Sequence, residues 1–143
     1  MMDVRLVFPM AAMVLLTYAV AIVMVRRRFG AARAGEVKVS NFRVNRFDDD
    51  VPLPMLQAGR NYINLFEAPV LFYAACLAAI AGGLSDTTLV AMAWAYVAAR
   101  VLHSVIHLGG NNVMTRLRAF ALSLVVLAAM WIYLVVRALG VAA

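Results

Sequence analysis

AGRNYINLFEAPVLFYA, residues 58–74, places three polar side chains inside an otherwise apolar stretch. It belongs to an apolar run over about residues 55–81, which exceeds the roughly 20 residues that an α-helix needs to cross a bilayer. Because backbone polar groups must be satisfied inside the hydrocarbon, such a run predicts a membrane-spanning helix. Arg60, Asn64 and Glu67 then lie within a membrane segment, where charged side chains are costly and need partners.

The whole chain has the composition of a membrane protein. Of its 143 residues, 66% are hydrophobic and 14% are charged, and the mean hydropathy is +0.89, whereas soluble domains are about half apolar and about a quarter charged. The net charge of +6 also occurs in nucleic-acid-binding proteins. In a membrane chain, however, it indicates topology and contact with anionic lipids, so we expect membrane lipids and no nucleic acid as partners. The single cysteine, Cys76, cannot form an internal disulfide.

Four apolar segments predict an all-α fold, a four-transmembrane-helix bundle in one membrane-embedded domain over residues 1–143. We expect helices over about residues 6–25, 55–81, 86–108 and 113–139, with a loop over residues 26–53. Ser85 is predicted to cap the third helix, with Asp86 in its first turn. The first segment is longer than the apolar part of a signal peptide and is followed by RRR, so we expect it to be retained.

Basic residues are concentrated in two of the loops. The 26–53 loop carries Arg26, Arg27, Arg28, Arg33, Lys38, Arg43 and Arg46, and Arg116 and Arg118 follow the third helix. The opposite side has Arg5 and Arg137, near the two termini. The positive-inside rule therefore predicts an integral multi-pass protein with both basic loops cytoplasmic and both termini non-cytoplasmic. The three aspartates of FDDD, residues 47–50, are more typical of surface charge than of a metal site, so we predict no metal.

A second polar stripe on the third helix matches the first. At about 100° per residue, Arg60, Asn64 and Glu67 fall on one face of the second helix. The third helix repeats this spacing with Tyr96, Arg100, His103 and His107. Both stripes lie in the half of their helix nearer the cytoplasm, so they can meet at one depth, where Arg60 and Arg100 are candidate partners for Glu67.

Such a cluster has two interpretations. One is a structural polar network that holds the helices together. However, two arginines, a glutamate and two histidines exceed what packing requires, and their excess of positive charge suits an anionic, water-soluble ligand from the cytosol. Arginines at a helix entrance typically anchor to headgroups, but either Arg116 or Arg118 can turn inward and complete the anionic site.

These residues resemble the MAPEG family, the membrane-associated proteins of eicosanoid and glutathione metabolism. The family motif Arg-x-x-x-Asn-x-x-Glu, closely followed by proline, is matched by RNYINLFEAP, and ARVLHSVIHLGG matches the third-helix signature of an arginine with a histidine or tyrosine. The resemblance implies a homotrimer that binds glutathione between neighbouring subunits, open to the cytosol. It implies that the tripeptide is held by Arg60, Asn64, Glu67, Arg100, His103, His107 and Arg118.

In the same resemblance, Arg116 is the catalytic residue, which stabilises the glutathione thiolate. The second substrate would be a lipophilic electrophile that arrives from the bilayer. The chain resembles members of a bacterial type, which implies the bacterial inner membrane.

The chain departs from the family pattern at several positions. His107 stands where the family often has tyrosine, and Ala68 where an aromatic residue often follows the glutamate. Leu117 and Phe120 stand where the prostaglandin E synthase branch has serine and tyrosine. Three functions therefore stay open: a glutathione-dependent transferase or peroxidase, a non-catalytic binder of an anionic lipid or metabolite or a membrane scaffold, and a proton or ion carrier that uses Glu67 and the histidines.

Overall fold

The computed structural model describes residues 3–38 and 51–142. Within these ranges the chain forms α-helices and no strand: α1 (Val7–Arg33), α2 (Leu53–Asn64), α3 (Ala68–Ala81), α4 (Thr87–Leu108) and α5 (Val113–Ala142). Four stretches are long and apolar enough to cross a membrane, namely Val7–Arg33, Leu53–Ala81, Thr87–Leu108 and Val113–Val141. The predicted all-α, four-span architecture is therefore confirmed. Arg43, Arg46 and the FDDD segment lie outside the described residues.

The second span is not the uninterrupted helix that the apolar run predicts. α2 ends at Asn64 and α3 begins at Ala68, because Pro69 has no N–H to donate and its ring clashes with the preceding turn. Glu67 lies in the break, with φ −93° and ψ −98°. The backbone at Glu67 is therefore not helical, and a regular helical periodicity describes the motif only as far as Asn64.

The first helix is longer than predicted. It continues through Arg26–Arg28 and ends at Arg33, eight residues beyond the predicted end at residue 25. Arginine is a good helix former, so a basic cluster marks the edge of the membrane without ending the helix. The helix ends where Gly35 adopts a φ of 72°, a conformation that glycine tolerates at little cost, and where Glu36 N–H donates to the Ala31 carbonyl at 3.0 Å.

The core lies where α4 packs against α1, α2 and α5, and where α3 packs against α5. The rings of Phe72 on α3 and Tyr96 on α4 stack with centroids 4.6 Å apart, and both side chains are fully buried. Met13 on α1 and Met130 on α5 are also fully buried. Large apolar side chains on the outer faces remain exposed, among them Leu15, Val105, Val125 and Ile132. An apolar exterior around the whole bundle is the surface that lipid solvates.

Arg27 joins three helices at one end of the bundle. We call this end, where α1 and α4 finish and α2 and α5 begin, the basic end. The Arg27 guanidinium donates to the Pro54 carbonyl at 3.0 Å and to the Leu108 carbonyl at 2.7 Å. Leu108 is the last residue of α4, so its carbonyl has no partner within the helix, and Pro54 lies in the first turn of α2. Arg27 therefore holds the ends of α1, α2 and α4 at a fixed spacing beside the polar residues described below.

Asp86 organises the opposite end of the bundle. It is the N-cap of α4, where its carboxylate accepts from Leu89 N–H at 2.9 Å, so the prediction that Ser85 caps this helix is wrong. The other carboxylate oxygen accepts from the Tyr133 hydroxyl and from Arg137, each at 2.6 Å. These contacts, above all the Tyr133 hydrogen bond, hold the pKa of Asp86 below its usual value. Asp86 takes the cap because it can bond the helix terminus and α5 at once.

Candidate functional site

An open cleft of about 420 Å³ lies among α2, α4 and α5 near the basic end. Six polar or charged residues line it: Arg60, Asn64, Glu67, His103, His107 and Arg116. Its apolar lining comes from Ile63, Val113, Leu117 and Phe120. The structure therefore brings the first predicted stripe, the two histidines of the second and the start of α5 to one place.

Asn64 connects a buried cation to a carboxylate. The Arg100 guanidinium donates through Nη2 to Asn64 Oδ1 at 2.7 Å and to the Asn64 carbonyl at 3.1 Å. The Asn64 amide nitrogen donates in turn to Glu67 Oε2 at 2.8 Å. Because both ends of the amide are occupied by groups of opposite charge, its orientation is determined. No direct ion pair forms between Glu67 and an arginine in the described ranges, so the predicted charge pairing runs through an amide instead.

Arg100 is the most deeply buried of the predicted site residues. Its side chain has no solvent exposure, and among the described residues its Nε and Nη1 atoms have no hydrogen-bond partner. Its guanidinium lies 5.8 Å from the centroid of the Phe120 ring, within cation–π range. Arg100 is not part of the cleft lining; it lies behind it. Arg100 therefore holds Asn64 from behind the cleft.

Two imidazoles form the wall of the cleft on α4. The rings of His103 and His107 are 5.6 Å apart in a T-shaped arrangement. His103 Nδ1 lies 3.2 Å from the Arg116 carbonyl oxygen. A carbonyl only accepts, so this contact places a proton on Nδ1 and leaves Nε2 as the acceptor of the neutral ring. In the described part of the chain, His103 Nε2 and His107 Nδ1 have no partner, so both rings retain polar capacity at the cleft.

Arg116, in the first turn of α5, is the predicted catalytic residue and lines the cleft. Its Nη1 donates to Asn111 Oδ1 at 2.5 Å. Asn111 lies in the turn between α4 and α5 with a φ of 46°, the only non-glycine residue among those described with a positive φ. The next residue, Asn112, caps α5 by accepting from Thr115 N–H at 3.0 Å. The sequence reasoning missed Asn111; the signal was the GGNN turn, which is rich in residues that tolerate this conformation.

The remaining predicted residues lie in different surroundings. Arg60 and Glu67 are exposed at the cleft, while Arg118 is exposed and is not part of the lining. Tyr96, the first residue of the second stripe, is buried in the core against Phe72.

The sequence pattern also missed a buried contact between α2 and α4, in which the Ser104 hydroxyl donates to Asn61 Oδ1 at 3.3 Å. No group of three or more residues able to hold a metal ion occurs within residues 3–38 and 51–142.

The fold and the cleft together define an integral, multi-pass helical membrane protein with a polar site near one end of the bundle. More particularly, the chain belongs to the MAPEG family, whose family model matches residues 6–136. The resemblance drawn from the second and third helices is thus confirmed over nearly the whole chain. Comparison with curated proteins and with solved structures gave no match.

Proposed function

We propose that this protein binds glutathione in the cleft and uses the glutathione thiolate to conjugate or reduce lipophilic electrophiles. The observation that carries the proposal is the charge pattern of the cleft, in which two arginines, Arg60 and Arg116, and one carboxylate, Glu67, line the same space. Glutathione has carboxylates, one ammonium group and a thiol that can ionise, so Arg60 can pair with a carboxylate, Glu67 with the ammonium group and Arg116 with the thiolate. The family includes enzymes that use glutathione as a transferase or peroxidase co-substrate.

The size and surroundings of the cleft support a ligand of this class. A volume of about 420 Å³ falls in the range of about 300–1,000 Å³ typical of small-molecule sites. Asn64, His103 and His107 add polar groups that can accept from or donate to peptide amides. Ile63 and Leu117 give the cleft apolar neighbours that suit the second, lipophilic substrate. In this proposal the lipophilic electrophile reaches the thiolate from the surrounding lipid.

The chemistry requires little beyond stabilisation of charge. The thiol of bound glutathione loses its proton to water, and Arg116 stabilises the sulfur anion that remains. In conjugation, the anion forms a carbon–sulfur bond while the leaving group departs with the electron pair. In peroxide reduction, two glutathione molecules become the disulfide, and the hydroperoxide becomes an alcohol and water. Because Leu117 and Phe120 carry no hydroxyl, Arg116 is the group that we assign to this stabilisation.

The assembly and orientation belong to the same proposal. We infer a homotrimer in which a neighbouring subunit closes the open side of the cleft, since Arg60 and Glu67 are exposed there and a charged ligand needs cover from lipid. The basic residues favour a cytoplasmic position for the basic end, with both termini on the other side. A bacterial inner membrane accommodates this arrangement, with glutathione reaching the cleft from the cytosol.

A second candidate function is a non-catalytic binder of an anionic lipid or metabolite. The observation that favours it is the apolar character of Leu117 and Phe120, since the described residues that line the cleft include no hydroxyl group to assist the thiolate. Such a protein would use the same cationic cleft to bind its ligand but would not lower the pKa of a thiol.

Isothermal titration of the purified protein in detergent with glutathione tests the proposal. Arg116→Ala is compared with Arg118→Ala, a matched control because Arg118 lies two residues away on α5 but outside the cleft. We expect wild type and Arg118→Ala to bind with release of a proton near pH 7, and Arg116→Ala to bind about 10-fold or more weakly without proton release. Wild type that binds no glutathione at millimolar concentration would refute the proposal. Binding without proton release would favour the non-catalytic candidate.

A further inference from the structure

The conformation of the turn between α4 and α5 is tied to the direction of one side chain. Asn111 has a φ of 46°, and its N–H donates to the Ile106 carbonyl at 2.9 Å, which closes the end of α4. From that position its side-chain oxygen accepts from Arg116 Nη1, five residues later. The Arg116 carbonyl is held as well, by His103 Nδ1 at 3.2 Å. Arg116 is therefore held at its backbone by α4 and at its guanidinium by the turn.

The chemical nature of this contact is important. An arginine in the first turn of a helix faces the positive end of the helix dipole, and its long side chain has many rotamers. Neither factor directs the guanidinium towards the cleft. The amide oxygen of Asn111 accepts a hydrogen bond without carrying a negative charge, so it can orient the guanidinium and leave its full positive charge available. An aspartate in the same place would form an ion pair and neutralise part of that charge.

We propose that Asn111 is a positioning residue for Arg116, which orients the guanidinium towards the sulfur of bound glutathione while preserving its charge. The inference rests on the proposed function. One guanidinium edge is engaged by Asn111, and the other nitrogens stay available for an anion in the cleft. The effect of Asn111 on the reaction passes through Arg116, so it is expected in the ionisation of the thiol rather than in the affinity for the tripeptide as a whole.

Two substitutions at this position separate the geometric requirement from the electrostatic one. Asn111→Gly keeps a residue that accepts a positive φ and removes the side-chain acceptor. Asn111→Asp keeps the acceptor in a residue that also tolerates this conformation, and adds a negative charge. Asn112→Asp is the matched control: it adds the same charge one residue away, at an N-cap where aspartate is favoured and where no bond to the Arg116 side chain is made.

The experiment measures the rate of glutathione conjugation to 1-chloro-2,4-dinitrobenzene as a function of pH, for the full-length protein in detergent. S-methylglutathione, which has no ionisable thiol, is titrated in parallel to show that each variant retains its cleft. We expect Asn111→Gly to lose about 10- to 100-fold in kcat/KM, the cost of a misplaced charge-stabilising group, with unchanged binding of S-methylglutathione. We expect its pH profile, and that of Asn111→Asp, to move to higher pH by about one unit, with a smaller shift for Asn112→Asp.

The outcomes separate this inference from the function on which it rests. A wild-type protein that neither binds glutathione nor conjugates it refutes the proposed function, and the role of Asn111 with it. An active wild-type protein whose Asn111→Gly variant keeps the same rate and pH profile overturns the role of Asn111 alone. Equal shifts in Asn111→Asp and Asn112→Asp would also overturn it, because added charge rather than the contact would then explain the effect.

Discussion

Replacing Asn64 by leucine removes the amide that joins Arg100 on α4 to Glu67 in the break between α2 and α3. Two hydrogen bonds are lost, from Arg100 to Asn64 Oδ1 at 2.7 Å and from the amide nitrogen to Glu67 at 2.8 Å. The 3.1 Å bond from Arg100 to the Asn64 carbonyl can persist, since the backbone is unchanged. Leucine has the same branched arrangement of side-chain heavy atoms as asparagine and a higher helix propensity, so the expected effect is chiefly polar.

The magnitude follows from how deeply each partner is buried. Arg100 is fully buried and already has two nitrogens without a partner among the described residues, so the surroundings offer no replacement for the lost acceptor. A hydrogen bond to a charged group contributes about 1.5–3 kcal/mol. Polar contacts between membrane helices average about 0.6 kcal/mol and reach about 1.7. Glu67 is exposed, so the loss of its hydrogen bond with Asn64 adds little. We expect a loss of about 2 kcal/mol in the free energy of unfolding, nearly all from the lost hydrogen bond between Arg100 and the Asn64 side chain.

Reversible unfolding in mixed micelles measures this loss, and Glu67→Gln provides the matched control. Glutamine still accepts from Asn64, at an exposed position, so we expect Glu67→Gln to change stability by less than about 0.5 kcal/mol. In a double-mutant cycle, adding Arg100→Met should make Asn64→Leu nearly neutral, because the buried charge is then gone. Equal losses for Asn64→Leu and Glu67→Gln, or no coupling in the cycle, would refute the role assigned to the amide.

Two further predictions concern the two ends of the bundle. The pKa of Asp86 is lowered, chiefly by the Tyr133 hydroxyl, so its stabilising effect is full above about pH 4 and is lost as the pH falls through the lowered value. The unfolding temperature of Asp86→Asn, which keeps the N-cap, should therefore fall less steeply than that of wild type between about pH 5 and pH 2; parallel curves would contradict this. Arg27→Met loses both carbonyl contacts and should lower the free energy of unfolding by about 2 kcal/mol. Arg33→Met, at the exposed end of α1, should change it by less than about 0.5 kcal/mol, and similar losses in the two variants would show that Arg27 acts through charge alone.

The candidate site was predictable to the level of residue type and approximate place. Arg60, Asn64, Glu67, His103, His107 and Arg116 were all expected at a site from their spacing or from the family resemblance, and all of them line one cleft. Polar side chains are rare in membrane helices, so each one carries information that it would not carry in a soluble protein.

The positions of the atoms were less predictable. The expected partners of Glu67 were Arg60 and Arg100, yet its hydrogen bond comes from Asn64. A periodicity of about 100° per residue describes only an unbroken helix. Because Pro69 breaks the second span, α2 already ends at Asn64, and the spacing does not give the position of the Glu67 side chain. The sequence does not single out Asn111, because its importance depends on a turn conformation and on a residue of the following helix.

The sequence by itself determined the spans, the composition of the site and the family of this protein. It could do so because a bilayer requires long apolar helices and makes each charged residue within them costly, and both constraints act locally along the chain. The tertiary structure alone decided which polar atoms meet: Arg100 behind the cleft, Asn64 between two charges, and Asn111 against Arg116. Those contacts depend on how helices rotate against one another and on where each one breaks, and such quantities are set by packing over the whole bundle.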